Sequence, residues 1–247
     1  MKLTVVGCGD AFGSGGRLQT TYLVDARDTR FLIDCGATAM IGLNRLGINP
    51  NTIDTIFITH LHGDHFAGLV WGLLNAQHIT KRKTPLTVVG PAALPERFRI
   101  TAEALFPGCT TVERVYELKF LALENETPCK VGGVTVTPFE VEHPSGAPSY
   151  ALRFDVDGKV LAFTGDSQWT ENIVAAGKNA DFYIMECYQF SGAPRYHMSW
   201  ETISAKLDHI NPRRVMLTHM ADGMLARRHE VKDPRVILAD DGLVVEI

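Results

Sequence analysis

His60, His62, Asp64 and His65 occupy four of six consecutive positions in the segment Thr59-His60-Leu61-His62-Gly63-Asp64-His65-Phe66-Ala67-Gly68. Three imidazoles and a carboxylate so close together constrain the fold severely, because burying each one unpartnered costs on the order of 2 kcal/mol or more. A divalent cation removes the difficulty. Neutral imidazole nitrogen and carboxylate oxygen are the donors that zinc, manganese and iron accept. The preceding residues, Ile53 to Thr59, are apolar and β-branched and predict a buried strand that delivers the cluster at its end.

The chain of 247 residues is long enough for one substantial core, and 45% apolar with 21% charged residues is ordinary for a soluble protein. A net charge of −4 gives no general attraction to nucleic acid or an anionic membrane. No apolar run approaches the roughly 18 residues that span a bilayer. The opening Met1–Gly7 reads as a first strand, broken by glycine too soon for a signal peptide. The five cysteines, Cys8, Cys35, Cys109, Cys129 and Cys187, are odd in number and scattered without a CxxC pair. That argues for reduced thiols and a cytoplasmic location.

Short apolar runs bounded by glycine, proline or aspartate recur along the whole length. Strands are expected at 3–6, 21–24, 31–33, 53–59, 86–89, 112–118, 134–141, 149–156, 160–164, 182–185, 215–218, 235–238 and 243–246. Helices are expected at 37–46, 65–74, 91–105, 169–176 and 200–209, the last capped by Ser199. No linker divides the sequence, so residues 1–247 read as a single α/β domain of helix, sheet, sheet and helix layers.

Consecutive side chains diverge, so one loop cannot direct four ligands to one ion. His60 and His62, two apart, can converge on a first metal. Asp64 and His65, beyond Gly63, can turn toward a second. Three further residues of the right kind follow apolar strands: His143 after 134–141, Asp166 after 160–164, and His219 after 215–218. A lone strand-end histidine is ordinarily a solvated group, but three metal-type residues beside the decapeptide form a pattern in which loops on a rigid scaffold carry function.

His60-Leu61-His62-Gly63-Asp64-His65, followed in order by His143, Asp166 and His219, resembles the metallo-β-lactamase superfamily over essentially the whole chain. The resemblance implies an αββα sandwich of two mixed sheets with two divalent metal ions, zinc foremost and manganese or iron as alternatives, in the cleft between them. It implies that His60, His62 and His143 hold the first metal, that Asp64, His65 and His219 hold the second, and that Asp166 bridges both.

A finer resemblance is to the ribonuclease Z-like branch. It rests on Gly13-Ser14-Gly15-Gly16-Arg17 with Thr20 and Thr21, on Phe31-Leu32-Ile33-Asp34-Cys35-Gly36, and on Glu186 with His197 before Leu217-Thr218-His219. It implies hydrolysis of phosphodiesters, with Asp64 or Asp166 holding the attacking water and His197, oriented by Glu186, protonating the departing alkoxide. It also implies a homodimer. Only Pro144 to Pro148 separate His143 from the next strand, so the long arm with which ribonuclease Z grips tRNA is missing. The expected substrate is therefore a small phosphodiester or nucleotide rather than tRNA. Alternatives are a carboxylic ester, thioester or lactone hydrolase of the same fold, a tRNA 3′-processing endonuclease, or a non-enzymatic metal-binding protein. Elsewhere, His78, His209 and His229 read as surface groups, Trp71 as core, and Lys81-Arg82-Lys83 as a solvated loop. Gly13 to Arg17 lacks the lysine and spacing of a P-loop.

Overall fold

The computed structural model describes residues 1–247. Along the chain run β1 (Lys2–Gly7), β2 (Thr21–Asp25), β3 (Arg30–Ile33), β4 (Thr55–Phe57), β5 (Leu86–Gly90) and β6 (Leu118–Ala122). They are followed by β7 (Cys129–Val131), β8 (Val134–Val141), β9 (Ser149–Val156), β10 (Lys159–Phe163), β11 (Phe182–Glu186), β12 (Val215–Thr218) and β13 (Val236–Leu238). A final strand, β14 (Val244–Glu246), returns to the first group. The helices are α1 (Ala39–Arg45), α2 (Gly63–Phe66), α3 (Gly68–Leu74) and α4 (Leu94–Leu105), then α5 (Glu171–Gly177), α6 (Trp200–Ser204), α7 (Leu207–Ile210) and α8 (Asp222–Arg227).

Two seven-stranded sheets form, in the orders β14-β1-β2-β3-β4-β5-β6 and β13-β12-β11-β10-β9-β8-β7. Each is mixed. In the first, β14, β1, β2 and β3 pair antiparallel and β3 to β6 pair parallel. In the second, β7 to β10 are antiparallel and β10 to β13 parallel.

Period-two alternation sorts the side chains into layers. Phe31 and Ile33 of β3 join Phe154, Phe163 and Ile184 of the opposing sheet in one buried cluster, whereas Leu32 between them faces the other way. The rings of Phe31 and Phe57, and of Phe57 and Phe154, meet edge to face at 5.4 and 5.1 Å, locking sheet to sheet. On the first sheet's outer face Leu32, Ile56 and Val88 pack under Leu43, Leu69, Val70 and Phe98 of α1, α3 and α4. On the second, Ala162, Tyr183 and Leu217 pack under Ile173, Ile203, Leu207 and Met224 of α5, α6, α7 and α8. These clusters are the interfaces of the expected αββα sandwich.

Several local expectations are corrected. The strand expected at 112–118 lies later, at β6, because parallel pairing with β5 begins only at Leu86 opposite Leu118. Val112 and Val115 have no such partner and are exposed. β7 escaped notice, being three residues of a hairpin arm against β8. The strand expected over 53–59 is regular only over β4, and the helix expected over 200–209 divides into α6 and α7. The helix expected over 65–74 divides into α2 and α3 at Ala67. Just beyond, a Cβ on Gly68 would lie 2.1 Å from the Gly36 carbonyl oxygen. Only glycine lets α3 begin this close to the backbone that follows β3.

Trp71 is not core. It is 36% exposed on α3 and meets Phe106 edge-on. Arg82 is not solvated either. Only Lys81 and Lys83 of that run are exposed, while the Arg82 guanidinium donates to the carbonyls of Thr84 (2.8 Å), Ile53 (2.8 Å), Pro85 (2.7 Å) and Pro50 (3.3 Å). A planar five-donor group suits such a cluster of strand-end carbonyls.

Candidate metal centre

The site lies beyond the carboxyl ends of the strands, the usual ligand position in sheets with parallel strands. His60 and His62 follow β4, His143 follows β8, Asp166 follows β10, Glu186 ends β11 and His219 follows β12. The decapeptide divides for a backbone reason. His62 is extended (φ −83°, ψ 148°) and caps α2, which begins at Gly63, so Asp64 and His65 are carried around a helical turn. His60 and His62 therefore face one way and Asp64 and His65 another.

Three sets of donor atoms result, each with its members within 4.8 Å of one another: His60, His62 and His143; Asp64, His65, Asp166 and His219; and Asp166, Glu186, His197 and His219. Asp166 touches both of the first two. One of its oxygens lies 3.8 Å from His143 Nε2, 4.0 Å from His60 Nε2 and 3.3 Å from His219 Nε2, and the other 3.3 Å from His65 Nε2.

Hydrogen bonds behind the rings fix their tautomers. His65 Nδ1–H donates to Asp34 Oδ2 at 2.6 Å. The Thr59 hydroxyl donates to the same carboxylate at 2.8 Å, so at 3.0 Å it accepts from His60 Nδ1–H. His143 Nδ1–H donates to the Tyr196 carbonyl at 3.0 Å. The His60 and His65 rings then turn an unpaired Nε2 inward and His143 Nε2 faces His62 Nδ1 at 2.9 Å, each ring held from behind as in metal-ligating histidine. His60 Nε2, His65 Nε2, Asp166 Oδ1 and His219 Nδ1 are buried with no hydrogen-bond partner. Buried polar atoms left without partners among such donors fit a divalent cation.

The electrostatics divide along the same line. Burial lowers His143 to about 4 and holds His60 and His62 below their ordinary value, so these three are neutral at pH 7, the form that ligates. Burial also pulls on His219 and His65, but there the charge of Asp166 and the nearby Asp64 prevail, raising His219 to about 9 and His65 well above its ordinary value.

Glu186 is fully buried and pairs with His197 through Nδ1, so neither is the solvated group that its position alone would allow. The Tyr188 ring stacks on His197 with centroids 4.6 Å apart. Ser199 caps α6, accepting from the Thr202 N–H, as its position before the helix suggested. The expected surface histidines His78, His209 and His229 are exposed. All nine residues expected at the site are brought together.

Asp34 and the Tyr196 carbonyl were not foreseen as part of the centre. Asp34 follows β3, the same strand-end position that marks the metal-type residues, and that signal could have found it. A backbone carbonyl leaves none. Asp34 (φ 57°), Tyr196 (φ 71°) and His219 (φ 56°) all adopt the left-handed region, which costs non-glycine residues roughly 1 kcal/mol each. Such conformations cluster where the surroundings impose a functional geometry.

The family described as anti-Pycsar protein Apyc1 matches residues 1–240. The chain is 25% identical to the probable metallo-hydrolase YhfI of Bacillus subtilis, with 100% of both proteins covered. It is 31% identical to ribonuclease Z of Clostridium tetani over 64% of this chain and 52% of that protein. The crystal structure of YhfI superposes with a TM-score of 0.80 at 23% identity, covering 99% of this chain and 98% of the other. Human tRNase Z, short form, also gives 0.80 at 23% identity, covering 100% and 99%. The chain is thus a metal-dependent hydrolase of metallo-β-lactamase fold, similar to ribonuclease Z, and it belongs to the Apyc1 anti-Pycsar family.

Proposed function

We propose that this chain is a phosphodiesterase acting on small phosphodiesters or nucleotides. The observation that carries the reading is the Glu186–His197 pair beside the donor groups, with its four-residue set sharing Asp166 and His219 with the second of them. A thioester, whose thiolate departs unaided, needs no such acid, whereas an alkoxide leaving phosphorus is helped by one. The names of the ribonuclease relatives agree. No arm follows His143, and the cleft between His62, Asp64, His143, Asp166 and Tyr188 measures about 150 Å³, both of which favour a small substrate over tRNA.

His60, His62 and His143 would hold one divalent cation and Asp64, His65 and His219 a second, with Asp166 between them. Zinc is the first candidate and manganese or iron the alternatives. Bound there, such cations supply Lewis acidity, making water nucleophilic near neutral pH and neutralising charge that develops on phosphoryl oxygens. Asp64 or Asp166 accepts a hydrogen bond from the attacking water and orients it. His197 donates its proton to the departing ester oxygen, and Glu186 fixes the ring and favours its protonated form. The test is a panel on metal-loaded protein: bis-p-nitrophenyl phosphate, cyclic nucleotides, a tRNA precursor, a lactone and a thioester. Preference for a carboxylic substrate would contradict the reading.

The pair also sets the pH dependence. Burial lowers the His197 pKa, but the hydrogen bond and charge of Glu186 raise it above its ordinary value of 6.5. A raised value means that the proton is held at neutral pH and lost as pH rises through it. Activity on alkoxide-leaving esters should therefore persist past pH 6.5 and fall on the alkaline side. Glu186→Gln should move that limb to lower pH in the kcat/KM profile, and an unmoved limb would exclude the pairing.

The reading includes a cytoplasmic location, which suits five free cysteines, and a homodimer. Trp71, Ile79, Ile100, Leu105, Phe106 and Val112 are exposed apolar residues within one stretch of chain, and a second copy would cover them. Sedimentation should give twice 27.2 kDa, and Trp71→Glu with Phe106→Glu should give the monomer.

A further inference from the structure

His60, His65 and His143 are each held from behind, by the Thr59 hydroxyl, the Asp34 carboxylate and the Tyr196 carbonyl. His219 is not. Its Nδ1 is buried without a partner, and the Glu186 carboxylate stands 3.9 Å away, beyond hydrogen-bond reach. The backbone of His219 is also left-handed, at φ 56°, so the direction of the ring depends on whatever holds that backbone. The His219 N–H donates to the Cys8 carbonyl at 3.0 Å, and the Thr218 hydroxyl donates to the same oxygen at 3.3 Å. Cys8, just past β1, is in turn fixed from the far end of the chain. Asp241, in the turn before β14, accepts from the Cys8 N–H (3.1 Å) and thiol (3.4 Å) on one oxygen and from the Leu18 N–H (2.8 Å) on the other. That turn is itself tied to β1, since the Gly242 N–H donates to the Val5 carbonyl and the Val5 N–H to the Leu243 carbonyl, each at 2.8 Å. A carboxylate that accepts from two backbone N–H groups makes the stronger, charge-assisted kind of contact.

We propose that Asp241 is a positioning residue for the metal centre: by fixing the backbone of Cys8 it aims His219 at the cation that His219 shares with Asp64 and His65. The inference rests on the assignment of that cation under the proposed function. Contacts behind a ligand orient it and set how tightly it binds, and for His219 the Asp241–Cys8 link takes the place that a side chain or carbonyl fills behind the other rings. Asparagine at 241 would keep the shape but offer a single acceptor oxygen, so either the Cys8 or the Leu18 N–H would lose its partner. The neighbouring Asp240 supplies a control, because its carboxylate, 53% exposed, pairs with Arg17 and Arg228 instead.

The test measures the affinity of each bound zinc ion by competition with a chelator. His219→Ala identifies the ion that His219 holds. Asp241→Asn should weaken that same ion about tenfold, the lower end of the range for contacts behind a ligand, and leave any other ion within about twofold. Asp240→Asn should change neither. Full affinity in Asp241→Asn, equal weakening of two ions, or the same loss in Asp240→Asn would each overturn the proposal. Thermal melting of each variant checks the fold. Should Asp241→Asn fail to fold, Asp241→Glu carries the same expectation, since it keeps both oxygens but sets them one methylene further out. If His219→Ala releases no ion, the metal assignment and the proposal fall together. If the ion weakens as expected while no phosphodiester is hydrolysed, the phosphodiesterase reading fails and the positioning role stands. If phosphodiesters are hydrolysed while Asp241→Asn holds its metal as the wild type does, the reverse holds.

Discussion

Replacing Asp166 with Asn should lower kcat/KM for phosphodiesters on the order of 10³-fold, together with a loss of bound metal. Asp166 lies within 4.0 Å of His60, His65, His143 and His219, so its carboxylate reaches both donor groups. Asparagine keeps the shape and one oxygen but removes the charge that offsets the His65 and His219 imidazoles. Because the side chain remains polar and nearly isosteric, the fold should survive, and thermal melting checks that. A loss below about tenfold with full metal content would place Asp166 outside the working site.

The second large effect depends on the leaving group. His197→Ala should lower the rate on alkoxide-leaving esters such as cyclic nucleotides by about 10²- to 10⁴-fold, the range for a positioned general acid. On bis-p-nitrophenyl phosphate the loss should stay within about tenfold, because nitrophenolate departs without a proton. Its partner Glu186 is buried among the core strands, so it is fixed in place and able to fix His197 in turn. Equal losses on both substrates would show that His197 positions the substrate or supports the fold instead of donating a proton.

The metal-type residues were legible because the pattern that reveals them is local. An apolar β-branched run that ends in His or Asp needs no knowledge of tertiary structure, and His143, Asp166 and His219 each follow such a run. The division of the decapeptide was readable too, since a glycine between His62 and Asp64 permits the change from extended to helical backbone. What escaped reading depends on partners distant in sequence. Asp34 reaches His65 and Thr59 across at least 25 positions, and the Tyr196 carbonyl reaches His143 across 53. Arg82 looked solvated because two lysines flank it, yet its carbonyl partners come from two separate turns. Trp71 looked like core by residue type, but its helix buries a different face, carrying Leu69, Val70 and Leu73. The late start of β6 follows from where β5 begins, which no property of residues 112–118 records.

Native mass spectrometry of protein loaded with zinc or manganese and then desalted would count the cations that share this one cleft. Two ions per chain in the wild type are expected, as the His60–His62–His143 and Asp64–His65–His219 groups meet at Asp166. A single tightly bound ion per chain, unchanged with either metal, would contradict it.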